Sequence, residues 1–341
     1  MATPGFSPLA GAPAPAEQER PEREAKQKKR PKRDVHGWLV LDKPIGMTST
    51  HAVSVVKRLL RARRVGHAGT LDPLASGCLP IALGEATKTV AFVMEGRKIY
   101  QFTVRWGEER DTDDAEGQVV ATATARPSPE AIRAQLPGFT GTIAQVPPRF
   151  SAIKIEGERA YDLARDGEVV ELASRPVAIH RLELAATPDP DHALLVAECG
   201  KGTYVRSLAR DLGRALGCFG HVCALRRTAV GPFQAADAVG LDQLTAASAE
   251  GGAALASLLK PVAAGLHGLP ALSVSRAEAA RLARGQAVLL RGRDAPVVTG
   301  LVAVSTHGLL IALADADHGE LRPRRVFNTS STGIPQRQQQ S

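Results

Sequence analysis

The sequence predicts an α+β protein, and three observations carry the prediction. Runs that alternate apolar and polar residues at strand length are interspersed with runs of helical period. They follow no clean strand–helix–strand rhythm, which disfavours a doubly wound parallel sheet. After Gly268-Leu269-Pro270 the texture changes to a small module of short strands with one short helix. The expected organisation is a disordered tail (1–34), a main domain (35–268), a small β-rich domain (269–327) and a second disordered tail (328–341).

Each element follows from local sequence. Residues 1–16, MATPGFSPLAGAPAPA, carry no side-chain charge, and residues 17–34 are almost wholly charged or polar. Neither stretch offers apolar surface to offset the entropy of ordering it. GWLVLDKP (Gly37–Pro44) reads as a strand ended by Pro44, with a turn through Gly46. Thr48, Ser49 and Thr50 supply cap hydroxyls for a helix expected from Thr50 to Arg63. Its apolar face is Val53, Val56, Leu59 and Leu60, and its polar face holds Lys57, Arg58, Arg61 and Arg63. GHAGTLDPLASG (Gly66–Gly77) is too rich in glycine to be one regular element. Tyr100, Phe102, Val104 and Trp106 alternate with polar residues, the mark of a strand with one buried face.

An acidic loop follows, GEERDTDDAEG, then a strand over Val119–Thr124. Pro147-Pro148 opens an arm or insertion. A strand over 193–199 leads through GKGT into an amphipathic helix with Val205, Leu208, Ala209, Leu212 and Leu216 on one face, ended by Gly217. Further elements are a strand over His221–Val230, an Ala-rich helix over 241–262, a short helix over Ala277–Arg284, and the strands LVAVS and LLIAL.

Composition narrows the function. The net charge is +8; Glu17–Asp34 holds eight basic and five acidic residues, so the body carries about +5. That balance suits a polyanionic partner. The four cysteines are scattered without a C-x-x-C pair, which argues against a disulfide framework or a zinc site. No run reaches the roughly 18 apolar residues of a membrane span, and the N-terminus lacks the apolar core of a signal peptide. A cytoplasmic protein without membrane partners is expected. GKGT lacks the upstream glycine of a phosphate-binding loop, and neither a dinucleotide fingerprint nor a nucleophile elbow is present. In the acidic loop, Ala115 and Glu116 occupy positions that a calcium loop needs for a ligand and a glycine, so no metal is expected.

Four side chains remain for chemistry. Asp72 precedes Pro73, which restricts its backbone; the same pair also suits a helix start. Arg206 falls in the first turn of its helix, third if Thr203 is the cap, where a cation opposes the helix dipole by about 0.3–1 kcal/mol. A carboxylate partner such as Asp72 would give it a reason to be there and would keep that carboxylate ionised; solvent or RNA phosphate would serve as well. Tyr100 and Tyr204 offer flat surfaces on which a flipped base can stack, or are ordinary packing residues.

Taken in order, DKPIGMTS (Asp42–Ser49), GHAGTLDPLASGCLPIALGEATK (Gly66–Lys88), the Tyr100 strand with DTDDAEG, GTYVRSLARDLG (Gly202–Gly213) and HVCALRRTAVGPF (His221–Phe233) resemble the family of bacterial tRNA pseudouridine synthase B. The resemblance spans roughly residues 35–327 and includes a C-terminal module similar to the PUA RNA-binding domain. It implies a pseudouridine synthase fold: a mixed, mainly antiparallel sheet flanked by helices around a central cleft. It implies an enzyme that isomerises uridine to pseudouridine at position 55 in the T loop of tRNA, on a flipped base, with no cofactor and no guide RNA. A cytoplasmic monomer is expected.

By motif, Asp72 takes the catalytic position, His67 a substrate contact, Tyr100 the stacking tyrosine, Tyr204 and Leu225 the pocket lining, and Arg206 the partner of the aspartate. Lys43 and Pro44 fall in a structural motif. The long N-terminal tail has no counterpart, and Arg149 before Phe150 departs from the pattern. The rival reading is a noncatalytic protein that binds or folds tRNA.

Overall fold

The computed structural model describes residues 31–151, 172–290 and 297–328, with the backbone of Lys154–Ile155 and Glu158–Arg159. Its first strands are β1 (Gly37–Lys43), β2 (Val65–His67), β3 (Ala75–Leu83), β4 (Lys98–Trp106), β5 (Glu108–Arg110), β6 (Val119–Thr122) and β7 (Gly141–Gln145). A two-residue hairpin gives β8 and β9 at 154–155 and 158–159. β10 (Arg175–Asp189), β11 (His192–Cys199), β12 (Gly220–Val230) and β13 (Phe233–Gln234) follow. The helices of this part are α1 (Ser49–Leu60), α2 (Val90–Glu95), α3 (Pro129–Gln135), α4 (Val205–Ala215), α5 (Leu241–Glu250) and α6 (Gly252–Ser257).

The main sheet runs β1-β3-β12-β4-β11-β10-β7, with β2 added to β3 and β13 to β12. Every pairing is antiparallel except β3 with β12, where Ala75–Gly77 lies in parallel register with Leu225–Arg227. The fold is therefore α+β with a mixed, mainly antiparallel sheet, as expected. The single parallel pair matters, because it joins the start of β3, just after Asp72, to the middle of β12.

Strand alternation separates two apolar layers. Leu39 and Leu41 of β1 face one, with Val56 and Leu60 of α1, Tyr100, Phe102 and Trp106 of β4, and Val205, Leu208 and Leu212 of α4. Trp38 and Val40 face the other, with Cys78 of β3 and Phe233. That second layer also takes in Ala303, Leu310, Leu313 and Phe327 from a separate five-stranded sheet. This sheet holds β14 (Ala271–Ser273), β15 (Val288–Leu289), β16 (Gly300–Thr306), β17 (Leu309–Asp317) and β18 (Glu320–Val326), in the order β14-β16-β17-β18-β15. Helix α7 (Arg276–Ala283) covers it, started by a Ser275–Glu278 capping box.

Several expectations change in detail. Helix α1 stops at Leu60, because Arg61 turns left-handed (φ 54°) and Ala62 pairs with Arg33. Arg33 donates its N–H to Arg61 and accepts from that of Arg63, so backbone pairing begins two residues before Val35. Of the expected tails and arm, residues 1–30, 152–153, 156–157, 160–171 and 329–341 lie outside the described residues. The single helix expected over 241–262 is two, broken where Gly251 adopts φ 117°. All four cysteines are free thiols, three of them buried. Among the described residues no helix is long and apolar enough to cross a membrane.

Candidate active site

Asp72 lies on the loop between β2 and β3, and the loop is held from several sides. Ser49, at the start of α1, accepts the Leu71 N–H on its hydroxyl at 2.8 Å and donates to the Leu71 carbonyl at 3.0 Å. Thr48 caps the same helix by accepting the His51 N–H at 3.1 Å. Lys43 is fully buried; its ammonium donates to the carbonyls of Pro44 (2.8 Å) and Met47 (2.7 Å) and lies 3.5 Å from that of Pro73. Gly46 donates its N–H to the Pro73 carbonyl at 2.8 Å. DKPIGMTS thus wraps the Asp72 turn. Burial pushes the Lys43 ammonium down to about 8, against the pull of the Asp72 charge.

The partner of Asp72 comes from α4. Arg206 Nε lies 3.0 Å from Asp72 Oδ2, a charge contact rather than an aligned hydrogen bond. Nη1 donates to the Thr112 carbonyl at 3.0 Å and sits 3.3 Å from Asp114 Oδ2; Nη2 donates to the Phe150 carbonyl at 2.9 Å. The Arg206 side chain is 6% exposed, whereas that of Asp72 is 39% exposed. One end of the pair is thereby fixed in protein and the other left open to solvent. Arg206 is second in its helix rather than third. Tyr204 occupies the N-cap without a side-chain cap, so Thr203 does not fill that role. Gln145, at the end of β7, grips Tyr204 instead: its Oε1 accepts the Tyr204 N–H at 2.8 Å and its Nε2 donates to the Tyr204 carbonyl at 3.1 Å.

The acidic loop supports this arrangement. Asp114 accepts hydrogen bonds from the Thr112 hydroxyl (2.6 Å) and the Glu116 N–H (3.1 Å) while facing Arg206. Asp113, left-handed at φ 60°, pairs with Arg210 at 2.9 Å. Burial pushes the Asp113 carboxyl up to about 6, and Arg210 opposes this only in part. The loop is pinned to β12 by backbone bonds from Ala115 to Val222 (3.0 Å) and from Val222 to Asp113 (3.1 Å).

The remaining candidates are Tyr100, Leu225, Tyr204 and His67. Tyr100 and Leu225 are each 8% exposed, on adjacent strands, in the same apolar layer as Leu71. Burial raises the Tyr100 hydroxyl above its ordinary range, with the Arg227 guanidinium beside it pulling the other way. The Tyr204 hydroxyl is likewise raised by burial, with Ser151 and Arg206 opposing. Burial and then the Arg227 charge lower the His67 imidazole, whose ring faces the Gly69 backbone. The charge of Asp72 is felt at Lys43, Tyr100 and Tyr204, which places all three about one carboxylate.

Two cavities among the described residues lie elsewhere. One, of about 800 Å³, sits between α3 and β10, against Leu136, Gly141 and Leu182. The other, of about 580 Å³, adjoins Asp113 and Arg210. Sequence reasoning missed Gln145, Asp114 and Arg227. Asp114 alone left a signal, as an acidic residue in a loop with no metal to bind.

Solved structures share this architecture. A structure of an H/ACA ribonucleoprotein bound to a substrate RNA containing 2′-deoxyuridine superposes with a TM-score of 0.67 at 24% identity, covering 86% of this chain and 85% of that one. An archaeal box H/ACA Nop10–Cbf5 complex gives 0.64 at 26% identity, covering 85% and 86%. The architecture is the pseudouridine synthase fold. The TruB family pseudouridylate synthase N-terminal domain matches residues 57–205, and the tRNA pseudouridylate synthase B C-terminal domain matches 206–267.

The tRNA pseudouridine synthase B of Bradyrhizobium diazoefficiens is 66% identical over 319 residues, covering 92% of each chain. That of Rhizobium meliloti is 57% identical over 302 residues, covering 87% of this chain and 97% of its own. The chain belongs to the TruB family of pseudouridylate synthases and is an isomerase. The matched domains end at residue 267, before the five-stranded sheet begins at Ala271.

Proposed function

We propose that the protein converts the uridine at position 55 in the T loop of tRNA to pseudouridine, with Asp72 as nucleophile on a base turned out of its stack. One observation carries the reading: a partly open carboxylate, 3.0 Å from a buried guanidinium, whose charge reaches the buried Tyr100. The reaction breaks the C1′–N1 bond of uridine, turns the uracil in place and joins its C5 to C1′. The hydrogen at C5 is lost and N1 gains one, so no atom or electron pair has to be supplied from outside. An ionised carboxylate that holds the sugar or base between the two bonds, and a flat surface for the freed ring, meet that need.

Extruding the base costs a few kcal/mol, which phosphate contacts must offset. The chain has a face for them. From Lys43 to Leu71 there are six Lys or Arg residues and no carboxylate. Lys57, Arg58, Arg63 and Arg64 of this stretch are exposed on and just after α1, whose other end holds the Asp72 loop. The C-terminal sheet is proposed as a second RNA-binding element. The enzyme is proposed to act as a monomer, in the cytoplasm, without a guide RNA.

The test is a purified Asp72→Asn variant on unmodified tRNA transcript, with pseudouridine mapped by sequencing. The expected result is product at position 55 with wild-type protein alone, none with the variant, and tRNA affinity within about threefold. In parallel, Arg206→Met should cut turnover by about 100-fold, as misplacement of a reacting group does, and change affinity little. Full pseudouridine formation by Asp72→Asn would remove Asp72 as the nucleophile, and no product from the wild-type protein would leave the binding or folding role.

A further inference from the structure

Arg227 is an unusual residue for its place. It lies in the middle of β12 and is 1% exposed. Among the described residues no carboxylate lies within ion-pair distance of it, unlike its neighbour Arg226, which is paired with Asp42 at 2.9 Å. A buried guanidinium without a counter-charge is costly to desolvate unless its donors are satisfied. Here backbone carbonyls take the place of an anion. Nε donates to Cys78 at 2.9 Å, Nη1 to Thr70 at 3.2 Å and Nη2 to Gly69 at 3.0 Å.

Two of these three acceptors belong to the loop that presents Asp72. A guanidinium has five N–H donors, so the three carbonyls leave two. The Tyr100 hydroxyl lies beside the same group, and Tyr100 is the residue paired with Arg227 across β4 and β12. Gly69 of the loop and Gly77 of β3 allow this close approach. A side chain at Gly69 would come within 3.3 Å of Nη1, and one at Gly77, where φ is 99°, within 2.3 Å of the Arg227 carbonyl.

Building on the proposed function, we propose that Arg227 is a positioning residue for the isomerisation: one fixed fork that sets the Asp72 loop and the Tyr100 hydroxyl relative to each other. A charge here could have been neutralised by an aspartate or replaced by a leucine to better effect on stability. Its acceptors instead come from the loop that must be placed, and the pocket tyrosine lies within reach of the same fork. Arg206 meets the carboxylate of Asp72; Arg227 holds the backbone carbonyls of the loop that carries it.

The experiment uses full-length Arg227→Met and Arg227→Lys, each also combined with Tyr100→Phe, under single-turnover conditions with saturating tRNA. Arg227→Met is expected to lose about 100-fold in turnover while tRNA affinity stays within about threefold, since a misplaced reacting group costs rate rather than binding. Arg227→Lys, which keeps the charge and loses the fork, should recover part of the rate and serves if the methionine variant does not fold. In the Tyr100→Phe background the penalty should shrink about tenfold, because the two residues act as one unit.

Wild-type turnover in Arg227→Met would overturn the proposal. So would equal losses in rate and affinity, or strictly additive effects with Tyr100→Phe, which would leave a packing role only. These outcomes are separable from the fate of the proposed function, since an active Asp72→Asn would remove that reading whatever Arg227 does.

Discussion

A cation in the first turn of a helix is disfavoured by about 0.3–1 kcal/mol. At Arg206 the cost is met by Asp72, Asp114 and the carbonyls of Thr112 and Phe150. One turn further on, Arg210 meets Asp113, whose burial raises its carboxyl to about 6 from an ordinary value near 4. The folded protein therefore binds a proton there that the unfolded chain does not, between about pH 4 and pH 6. The contribution is complete below about pH 4 and is lost as pH rises through 6. Urea unfolding across that range should show wild-type stability falling relative to Asp113→Asn, by at most about 3 kcal/mol. Parallel pH profiles for the two proteins would refute it. The pair of residues 72 and 206 was legible in the sequence because each broke a local rule or sat in a long motif. Gln145 breaks none and lies outside the motifs, while Asp114 and Arg227 lie inside them with nothing local to show what they hold. Their roles arise from contacts made across 59 to 158 positions of chain, which no local pattern records.

Elements with an intact period were equally legible, as the buried alternation of β4 and the apolar stripe of α4 show. Those with an interrupted period were not. β10 is fifteen residues long, but its register slips between Ile179 and Arg181 and again between Leu184 and Ala186, so its pattern never holds for long. β3 contains Gly77 and Pro80, which read as loop residues. The glycine is needed for its close approach to Arg227, and Pro80 falls between the stretch paired with β12 and that paired with β2. Helix α1 has a different logic: one end holds the Asp72 loop and the other carries exposed Lys57 and Arg58, with no acidic residue along it. Lys57→Glu with Arg58→Glu should weaken tRNA binding by about tenfold and flatten the dependence of log affinity on log salt by one to two units, about one for each phosphate no longer neutralised. An unchanged salt slope would show that phosphates are bound elsewhere on the protein.

At the scale of the molecule, the C-terminal sheet is less separate than the change of sequence texture at Gly268 implies. It has an apolar core of its own, including Leu282, Val302, Val304 and Leu321, yet it also closes the layer behind β1 and β3 with Leu310, Leu313 and Phe327. Lys88 ties the seam: its ammonium pairs with Glu85 at 2.5 Å, donates to the Val326 carbonyl at 2.8 Å and lies 5.6 Å over the Phe327 ring. Glu85 in turn accepts the Asn328 N–H at 2.9 Å. Removing the sheet would take Leu310, Leu313 and Phe327 out of the layer that holds Trp38 and Phe233, which lie fully buried against each other, ring centres 5.1 Å apart. A surface so apolar does not stay folded alone at the stability of an ordinary domain. The main body and the C-terminal sheet should therefore unfold together, in a single calorimetric transition with matching calorimetric and van't Hoff enthalpies. Phe327→Ala, which empties a buried aromatic site, should lower that one transition by about 3–5 kcal/mol rather than split it. Two resolved transitions in the wild-type protein would mean that the seam is a contact between independent domains.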